Sequence, residues 1–209
     1  MTPATPATPA TADTVPVSWR PGFHCKWVER ATLPASLVPA DKRAALDALL
    51  RRNRSDDRVD QAFRSPFSPS RYTDGSHPAF YAAKDAVTAL REKLHHDARQ
   101  KRALDIGPGQ HPVELLHVDV VATLEDVRPA ALADPALMHE SDYSACQQLA
   151  ALRVAAGAAG LLYPSVRDVD AGTRGDCAVL FARAAVGAVA VHKSVVVEWN
   201  GREFVYAAP

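Results

Sequence analysis

The chain has 209 residues, 47% of them hydrophobic and 23% charged, which is typical of a soluble globular protein and excludes wholesale disorder. Its 24 basic and 24 acidic residues give a formal net charge of +0, so no global basic field exists to bind nucleic acid or an anionic membrane by charge alone. Three widely spaced cysteines exclude a disulfide framework and a four-cysteine zinc site, and they favour a reducing, cytoplasmic location.

The N-terminal segment is of low complexity. Residues 2–10 read Thr-Pro-Ala three times, and because proline fixes φ and removes a backbone donor, this stretch has nothing to bury against a core. We expect a disordered Pro/Ala/Thr tail over residues 1–18, followed by one domain over residues 19–209. The tail lacks the basic and apolar regions of a signal peptide. The longest apolar stretch, residues 178–191, is interrupted by Arg183 and is too short to span a membrane.

The first half of the domain alternates between helical and irregular patterns. Apolar residues recur at i, i+3 and i+4 between Pro39 and Asn53, which predicts a helix. The polar stretch at residues 51–75 is rich in proline and serine and predicts a long loop, which in a compact domain is either functional or disordered. A short buried strand is expected at residues 80–83, followed by a helix at residues 85–96.

A strand and a helix follow near the middle of the chain. A run of β-branched residues predicts a strand at residues 113–124. Asp142 is a suitable N-cap for a helix at residues 143–156, which Gly157 closes.

Two short strands and a hairpin complete the chain. Residues 161–163 form an expected strand that Pro164 stops, and residues 177–181 form another. Asn200-Gly201 is the preferred pair for a type I′ turn, and the strand-like runs on both sides of it predict a hairpin over residues 194–206. Because strands and helices are mixed without a regular βαβ rhythm, the expected fold class is α+β, in a single domain.

The common motifs of phosphate and metal binding are absent from the sequence. The Gly107-Pro108-Gly109 triplet has neither the spacing nor the flanking strand and helix of a phosphate-binding loop. His95 and His96 are adjacent, so on a helix they point about 100° apart and cannot share a ligand face. We therefore expect no metal.

Three stretches are unusual on physical grounds. Residues 70–76 place an arginine in a turn-forming loop, the helix at residues 85–96 carries Glu92 away from its apolar face, and residues 163–168 form a polar strand end. Taken singly, each is typical of an ordinary solvated face or strand cap. Their order along the chain is more informative than any one of them.

In that order, the stretches resemble the RES domain, a family named for its Arg, Glu and Ser, over about residues 35–207. Each motif is weak alone, but six in sequence are specific. Where the family often has an acidic residue opening the glutamate helix, this chain has Val87-Thr88. The matches are Ser70-Arg71-Tyr72 for the arginine-aromatic motif, residues 79–83 for the "vYyA" strand, residues 88–92 for the "ETAxxE" helix, residues 142–147 for the "YSxxQ" helix start, residues 163–167 for the "YPSxR" turn and Trp199-Asn200-Gly201 for the closing "WdG".

The resemblance implies a fold similar to the ADP-ribosyltransferases and an enzyme that consumes NAD as a substrate, with no recycled cofactor. Glu92 would stabilise the oxocarbenium-like ribosyl cation that forms when the nicotinamide–ribose bond breaks. Arg71 would bind the diphosphate through its planar fork of donors, and Tyr81 would pack on the nicotinamide ring. Ser165 would hydrogen-bond to ribose or phosphate rather than act as a nucleophile, because no base is evident beside it.

The resemblance also implies further contacts with NAD. Tyr72, the aromatic residue of the arginine motif, is a candidate for NAD binding. An upstream arginine would make a second phosphate contact, and Arg54 and Arg64 both compete for this role. We prefer Arg54 because it follows the first helix, as in a related pattern of the family.

The acceptor of the ADP-ribosyl group stays open. Water would make the protein a glycohydrolase, inorganic phosphate would make it a phosphorylase, and a protein side chain would make it an ADP-ribosyltransferase. The family favours NAD degradation over transfer. It also implies a toxin whose partner is a small helix-turn-helix antitoxin.

Two alternatives belong to other functional classes. An inactive RES-like domain that only binds a partner is possible, although the joint presence of Arg71, Tyr81, Glu92 and Ser165 argues against it. A nucleic-acid-binding module is suggested by the basic clusters around residues 51–54 and 99–102. We expect no direct nucleic-acid contact, because acidic residues interleave with the basic ones and few aromatic residues are available for stacking.

Overall fold

A mixed β-sheet positions the other elements of the chain. The computed structural model describes residues 13–27, 55–170 and 173–206. Its helices within these ranges are α1 (Ser55–Ala62), α2 (Ala86–Ala103), α3 (Arg128–Ala133) and α4 (Ser144–Ala155), with a 3-10 turn at Arg183–Ala185. The strands of the same ranges are β1 (Thr14–Trp27), β2 (Phe80–Ala83), β3 (Gly109–Asp126), β4 (Gly160–Asp170), β5 (Thr173–Leu180), β6 (Val186–Trp199) and β7 (Phe204–Val205).

The strand order within the described residues is β1-β2-β5-β4-β3-β6-β7, and β3 also pairs with β1. The pairings therefore close a ring through β1, β2, β5, β4 and β3, from which β6 and β7 extend. The pairing of β3 with β4 is parallel, and the others are antiparallel. With 18 residues, β3 is long enough to pair with β1 along one edge and with both β6 and β4 along the other.

Alternating side chains of the sheet fill two hydrophobic cores, because successive residues of a strand point to opposite faces. On β5, Cys177 and Val179 belong to the first core, and Ala178 and Leu180 belong to the second. Buried residues of α2, α3 and α4 cover the first core, and α1 covers the second through Val59. Neither helical layer could bury its apolar side chains without the sheet between them.

The start of α2 is fixed to β4 by a network of polar contacts. Asp85 is the N-cap of α2, and its carboxylate accepts hydrogen bonds from the backbone N–H of Thr88 at 2.8 Å and from the Thr88 hydroxyl at 2.7 Å. The Thr88 hydroxyl also contacts Asp168 on β4, and Asp168 forms an ion pair with Arg91. These contacts determine where the residues of the next helical turn lie relative to β4.

The α+β class is confirmed, and several predicted elements are present with shifted bounds. The helix expected at residues 85–96 continues to Ala103, and the strand expected at residues 113–124 spans Gly109–Asp126. The helix expected at residues 143–156 is α4. Its N-cap is Tyr143 and not the expected Asp142, whose carboxylate accepts a hydrogen bond from the backbone N–H of Ser144 at 3.0 Å. The strands expected at residues 80–83 and 177–181 correspond to β2 and β5.

Other expectations are wrong, because long-range pairing or burial overrides the local pattern. We expected the tail to extend to residue 18, but β1 begins at Thr14, where it pairs with the far end of β3. The stretch expected to be a loop at residues 51–75 contains α1, which is held by complete burial of Val59. The predicted helix between residues 39 and 53 lies outside the described residues.

Pro164 does not stop β4, which continues to Asp170. The pairing with β5 is irregular between Pro164 and Val169, and this irregular segment accommodates the missing backbone donor of proline.

The C-terminal hairpin is present, but its turn is not the expected two-residue type. Trp199 pairs with Phe204, so four residues, 200–203, connect the strands, and inside this turn the backbone N–H of Asn200 bonds to the carbonyl of Glu203 at 3.1 Å.

Two observations complete the fold. The Trp199 indole is fully buried, and its Nε1 donates a hydrogen bond to the carbonyl of Ile106 at 2.7 Å, which ties the end of β6 to the segment after α2. Among the described helices, none has both the length and the apolar character needed to cross a bilayer.

The contact between α2 and β4 requires a glycine on the neighbouring strand β5. A Cβ atom at Gly175 would lie 2.1 Å from the Thr88 hydroxyl and 2.6 Å from the Asp168 carboxylate. We expect Gly175→Ala to lower the free energy of unfolding by about 1–3 kcal/mol, because one of these groups must move. Gly107→Ala is the matched control, since its Cβ would meet nothing within 4 Å. Equal unfolding midpoints of the two variants in urea would contradict this account.

Candidate active site

A cavity of about 250 Å³ opens beside β1, β2 and α2. It is lined by Arg71, Tyr81 and Glu92, three of the residues that the sequence singled out, although they belong to a loop, a strand and a helix. The volume is on the scale of a small-ligand pocket. Other lining residues include Phe23 and His24 of β1.

Arg71 reaches the cavity from a loop and is held by neutral groups. Its Nη1 donates to the carbonyl of Leu137 at 3.3 Å, and its Nη2 donates to the carbonyl of His139 at 3.0 Å. The guanidinium carbon lies 4.7 Å from the centre of the Tyr143 ring, within the range of a cation–π contact. No acidic side chain of the described residues forms an ion pair with Arg71. The cavity therefore contains a buried cation that forms no ion pair with the described residues.

The loop that carries Arg71 is cross-linked on both sides. Gln147, the last residue of the "YSxxQ" match, donates from Nε2 to the carbonyls of Ser70 at 2.9 Å and Thr73 at 3.2 Å. The Thr73 hydroxyl donates to the carbonyl of His77 at 2.7 Å. Because these bonds satisfy the backbone of the turn, the guanidinium is presented from a fixed loop.

Tyr81 lies on β2 and points its ring into the first core and the cavity. Its hydroxyl accepts a hydrogen bond from the backbone N–H of Tyr72 at 3.0 Å and shares a 2.7 Å hydrogen bond with the hydroxyl of Ser70. Burial raises the pKa of Tyr81 to about 12. The phenol is therefore neutral at physiological pH, and the ring is held in one orientation beside the arginine loop.

Glu92 faces the end of β4 instead of solvent. Its Oε1 accepts a hydrogen bond from the Ser165 hydroxyl at 2.5 Å and another from the backbone N–H of Val166 at 3.2 Å. Both contacts with the described residues use the same carboxylate oxygen, which leaves Oε2 for a ligand. The helix face that the sequence pattern assigned to solvent is covered by β4, because the cap network brings α2 against that strand.

Ser165 is placed behind Glu92, not in the cavity. The side chain is completely buried, and its hydroxyl oxygen accepts hydrogen bonds from the backbone N–H groups of Arg167 at 3.0 Å and Asp168 at 2.8 Å. Since the one hydroxyl proton is donated to Glu92, the expected direct bond to ribose or phosphate is not available. In this structure Ser165 positions the carboxylate.

Two other residues that were predicted to contact NAD, Tyr72 and Arg64, do not line the cavity. Tyr72 does not line the cavity; its ring is buried and lies 4.7 Å from the ring of Tyr163. Arg64 also lies away from the cavity, where it is exposed and 3.8 Å from Asp60 of α1. Arg54 lies outside the described residues. Of the residues proposed to contact NAD, Arg71 and Tyr81 line the cavity.

Sequence reasoning missed Arg167 as a functional candidate. It lines the cavity beside Glu92, and its own backbone N–H bonds to Ser165. The only sequence signal was its place at the end of the "YPSxR" match, which we interpreted as a turn. Among the described residues, no three His, Cys, Asp or Glu side chains cluster in a way that could hold a metal ion.

We expect Ser165→Ala to destabilise the protein as well as the site. The change leaves the backbone N–H groups of Arg167 and Asp168 without their acceptor and removes one of the two donors to Glu92 Oε1, which costs about 2 kcal/mol or more in the free energy of unfolding. Ser141→Ala, at an exposed position, is the control and is expected to unfold like the parent. Urea unfolding of both variants measures the difference, and a parental midpoint for Ser165→Ala would show that the hydroxyl bonds contribute nothing to stability.

Comparison with known proteins supports the resemblance to the RES domain that the order of the motifs indicated. The fold is similar to that in the crystal structure of the M. tuberculosis MbcT-MbcA toxin–antitoxin complex, with a TM-score of 0.50 and 16% sequence identity over 90% of this chain and 87% of that one. No curated protein matches the sequence. The family model of the RES domain matches residues 48–200. Since this match covers most of the chain, the chain belongs to the RES domain family.

Proposed function

We propose that this protein cleaves the nicotinamide–ribose bond of NAD. The proposal is carried by one observation: a buried guanidinium, a neutral phenol ring and a carboxylate line the same cavity, and the described residues leave the Oε2 atom of that carboxylate open. These three groups match the three parts of the substrate that must be held during cleavage, which are the diphosphate, the nicotinamide ring and the ribose.

Glu92 supplies the negative charge. When the bond between the nicotinamide nitrogen and ribose C1′ breaks, its electron pair leaves with neutral nicotinamide, and positive charge develops on the ribose. A carboxylate fixed nearby stabilises this oxocarbenium-like state. Ser165 and the backbone of Val166 hold Oε1, so Oε2 is oriented toward the substrate before it binds.

Arg71 binds the diphosphate in this proposal. A buried cation is costly unless an anion compensates it, and the described protein groups around Arg71 are neutral carbonyls, a thiol and an aromatic ring. The guanidinium fork fits phosphate oxygens in a bidentate manner. Tyr81 lies beside it on β2, where its ring forms one wall for the nicotinamide.

The acceptor in the proposed reaction is water or inorganic phosphate, so that NAD is degraded by hydrolysis or phosphorolysis. In either case an oxygen of the acceptor attacks C1′ after nicotinamide has left, and a proton is released. Transfer to a protein side chain remains the alternative, and it shares the first step. The products distinguish the three acceptors. Water gives ADP-ribose, phosphate gives a phosphorylated ADP-ribose, and a protein side chain gives an ADP-ribosylated protein.

We further propose that the protein acts as the toxin of a toxin–antitoxin pair, with a helix-turn-helix antitoxin as its partner. Support comes from the membership in the RES family and from the similarity of fold to a chain of a toxin–antitoxin complex. The antitoxin would inhibit most directly by covering the cavity.

Glu92→Gln tests the catalytic carboxylate. The amide oxygen can still accept from Ser165 and Val166, so the variant is expected to fold normally, yet it cannot neutralise a cation. We expect the rate of nicotinamide release from NAD to fall by about 100-fold or more. Chromatography of the reaction mixture, with and without inorganic phosphate, measures the rate and identifies the acceptor.

The control for this variant is Glu203→Gln, which removes an exposed carboxylate from the C-terminal hairpin and is expected to retain activity. Parental turnover by Glu92→Gln would show that another group stabilises the transition state. Absence of nicotinamide release from the parent protein itself would favour the inactive, partner-binding alternative.

Arg71→Lys tests the diphosphate contact. Lysine keeps the charge but loses the planar fork, so we expect the dissociation constant for ADP-ribose to rise by roughly tenfold or more. Nicotinamide riboside, which has no diphosphate, should be affected much less. Calorimetric titration of both ligands makes the comparison, and equal effects on both would contradict a specific role for Arg71 at the diphosphate.

A further inference from the structure

A second arginine faces the cavity from β4. The side chain of Arg167 is only 7% exposed, and its Nη2 donates to the backbone carbonyl of Glu140 in the segment between α3 and α4. Its Nη1 lies 3.7 Å from the Glu140 carboxylate. That carboxylate is 77% exposed, so solvent screens the pair and its net contribution to stability is small.

The two arginines of the cavity are held by the same segment. Arg71 donates to the carbonyl of His139, and Arg167 donates to the carbonyl of the next residue, Glu140. Consecutive Cα atoms are about 3.8 Å apart, so the two guanidinium groups are attached to neighbouring points of one backbone. Both guanidinium groups line one cavity beside this segment, an arrangement that suits a ligand with two linked anionic groups.

The described protein groups compensate these arginines only in part. Arg71 forms no ion pair with them, Arg167 pairs only with the exposed Glu140, and the Glu92 carboxylate lines the same cavity, bonded to Ser165 and Val166. His95, one helical turn after Glu92, also lines the cavity, and its pKa is lowered by burial and by the positive charge of Arg167. The region between the arginines is therefore a favourable site for an anion.

We propose that Arg167 is the second diphosphate-binding residue of this cavity, and that the ligand takes the place of the exposed Glu140 carboxylate beside its guanidinium. The inference rests on the proposed function, because it identifies the diphosphate of NAD as the physiological ligand. It assigns to Arg167 the role that sequence reasoning offered to Arg54 or Arg64. Arg71 binds one phosphate group and Arg167 binds the other, each through two parallel N–H donors.

The test uses inorganic pyrophosphate as the probe, titrated calorimetrically into the full chain and its variants. We expect Arg167→Gln to weaken pyrophosphate binding by about tenfold or more. Glu140→Gln is expected to bind the probe as tightly as the parent or more tightly, since the competing carboxylate is gone. Arg64→Gln removes one positive charge outside the cavity and serves as the matched control, with parental affinity.

Arg167→Gln is expected to weaken pyrophosphate binding, whereas Glu140→Gln is expected to leave it unchanged or strengthen it. This difference distinguishes a ligand-binding arginine from one that only forms a structural ion pair. If the Arg167–Glu140 pair only stabilised the fold, both variants would weaken the binding of pyrophosphate and lower the unfolding midpoint alike, and the proposal would be overturned. Parental affinity of Arg167→Gln, or no binding of pyrophosphate to the parent, would overturn it as well.

The same variants distinguish this inference from the proposed function. If pyrophosphate binding depends on Arg167 but the parent protein releases no nicotinamide from NAD, the anion site stands and NAD cleavage fails. If the parent cleaves NAD and Arg167→Gln has an unchanged KM, cleavage stands and the second diphosphate contact fails.

Discussion

The hydrogen bond from the Ser165 hydroxyl to the Glu92 carboxylate is the contact on which the geometry of the cavity depends. It joins α2 to the irregular end of β4, at the place where the Asp85–Thr88–Asp168 contacts already bring the two elements together. The hydroxyl has one proton, and its lone pairs accept two backbone N–H groups, so its orientation is fully determined. In the proposed reaction, a carboxylate held in this way would need no reorganisation as positive charge develops on the ribose, which is the condition for effective electrostatic stabilisation.

The second constraint is the positive charge of the two arginines. The guanidinium groups of Arg71 and Arg167 line one cavity, and the backbone carbonyls that hold them accept hydrogen bonds without neutralising them. Such an arrangement is unfavourable for the free protein and favourable for binding an anion, because the ligand supplies the missing charge in a site with restricted solvent. The stability of the surrounding fold, with its two cores and continuous sheet, is what maintains the arrangement in the absence of ligand.

The motifs of the RES family divide into two physical classes in this chain. Arg71, Tyr81 and Glu92 line the cavity, whereas Gln147 and Ser165 lie behind it and fix the loop and the carboxylate. The residues behind the cavity are specified by the need to satisfy buried polar groups. The residues that line it are, under the proposed function, specified by the groups of NAD. A sequence motif alone does not distinguish them, which is why Ser165 was expected to contact the substrate.

The sequence by itself determined the α+β class and the main strands and helices, because periodic burial and turn chemistry are local properties. The order of its motifs, through their resemblance to the RES domain, also identified Arg71, Tyr81 and Glu92, which line the cavity. It did not determine that Thr14 begins a strand, that Val59 anchors a helix or that β4 passes Pro164, since each depends on a partner far away in the chain. The same reason explains why Arg167 was missed as a cavity residue and why Tyr72 was expected in the cavity although it is buried in the core. Whether a side chain points into a cavity or into a core is decided by the packing of α2 and β4 across the sheet, and no local pattern contains that information.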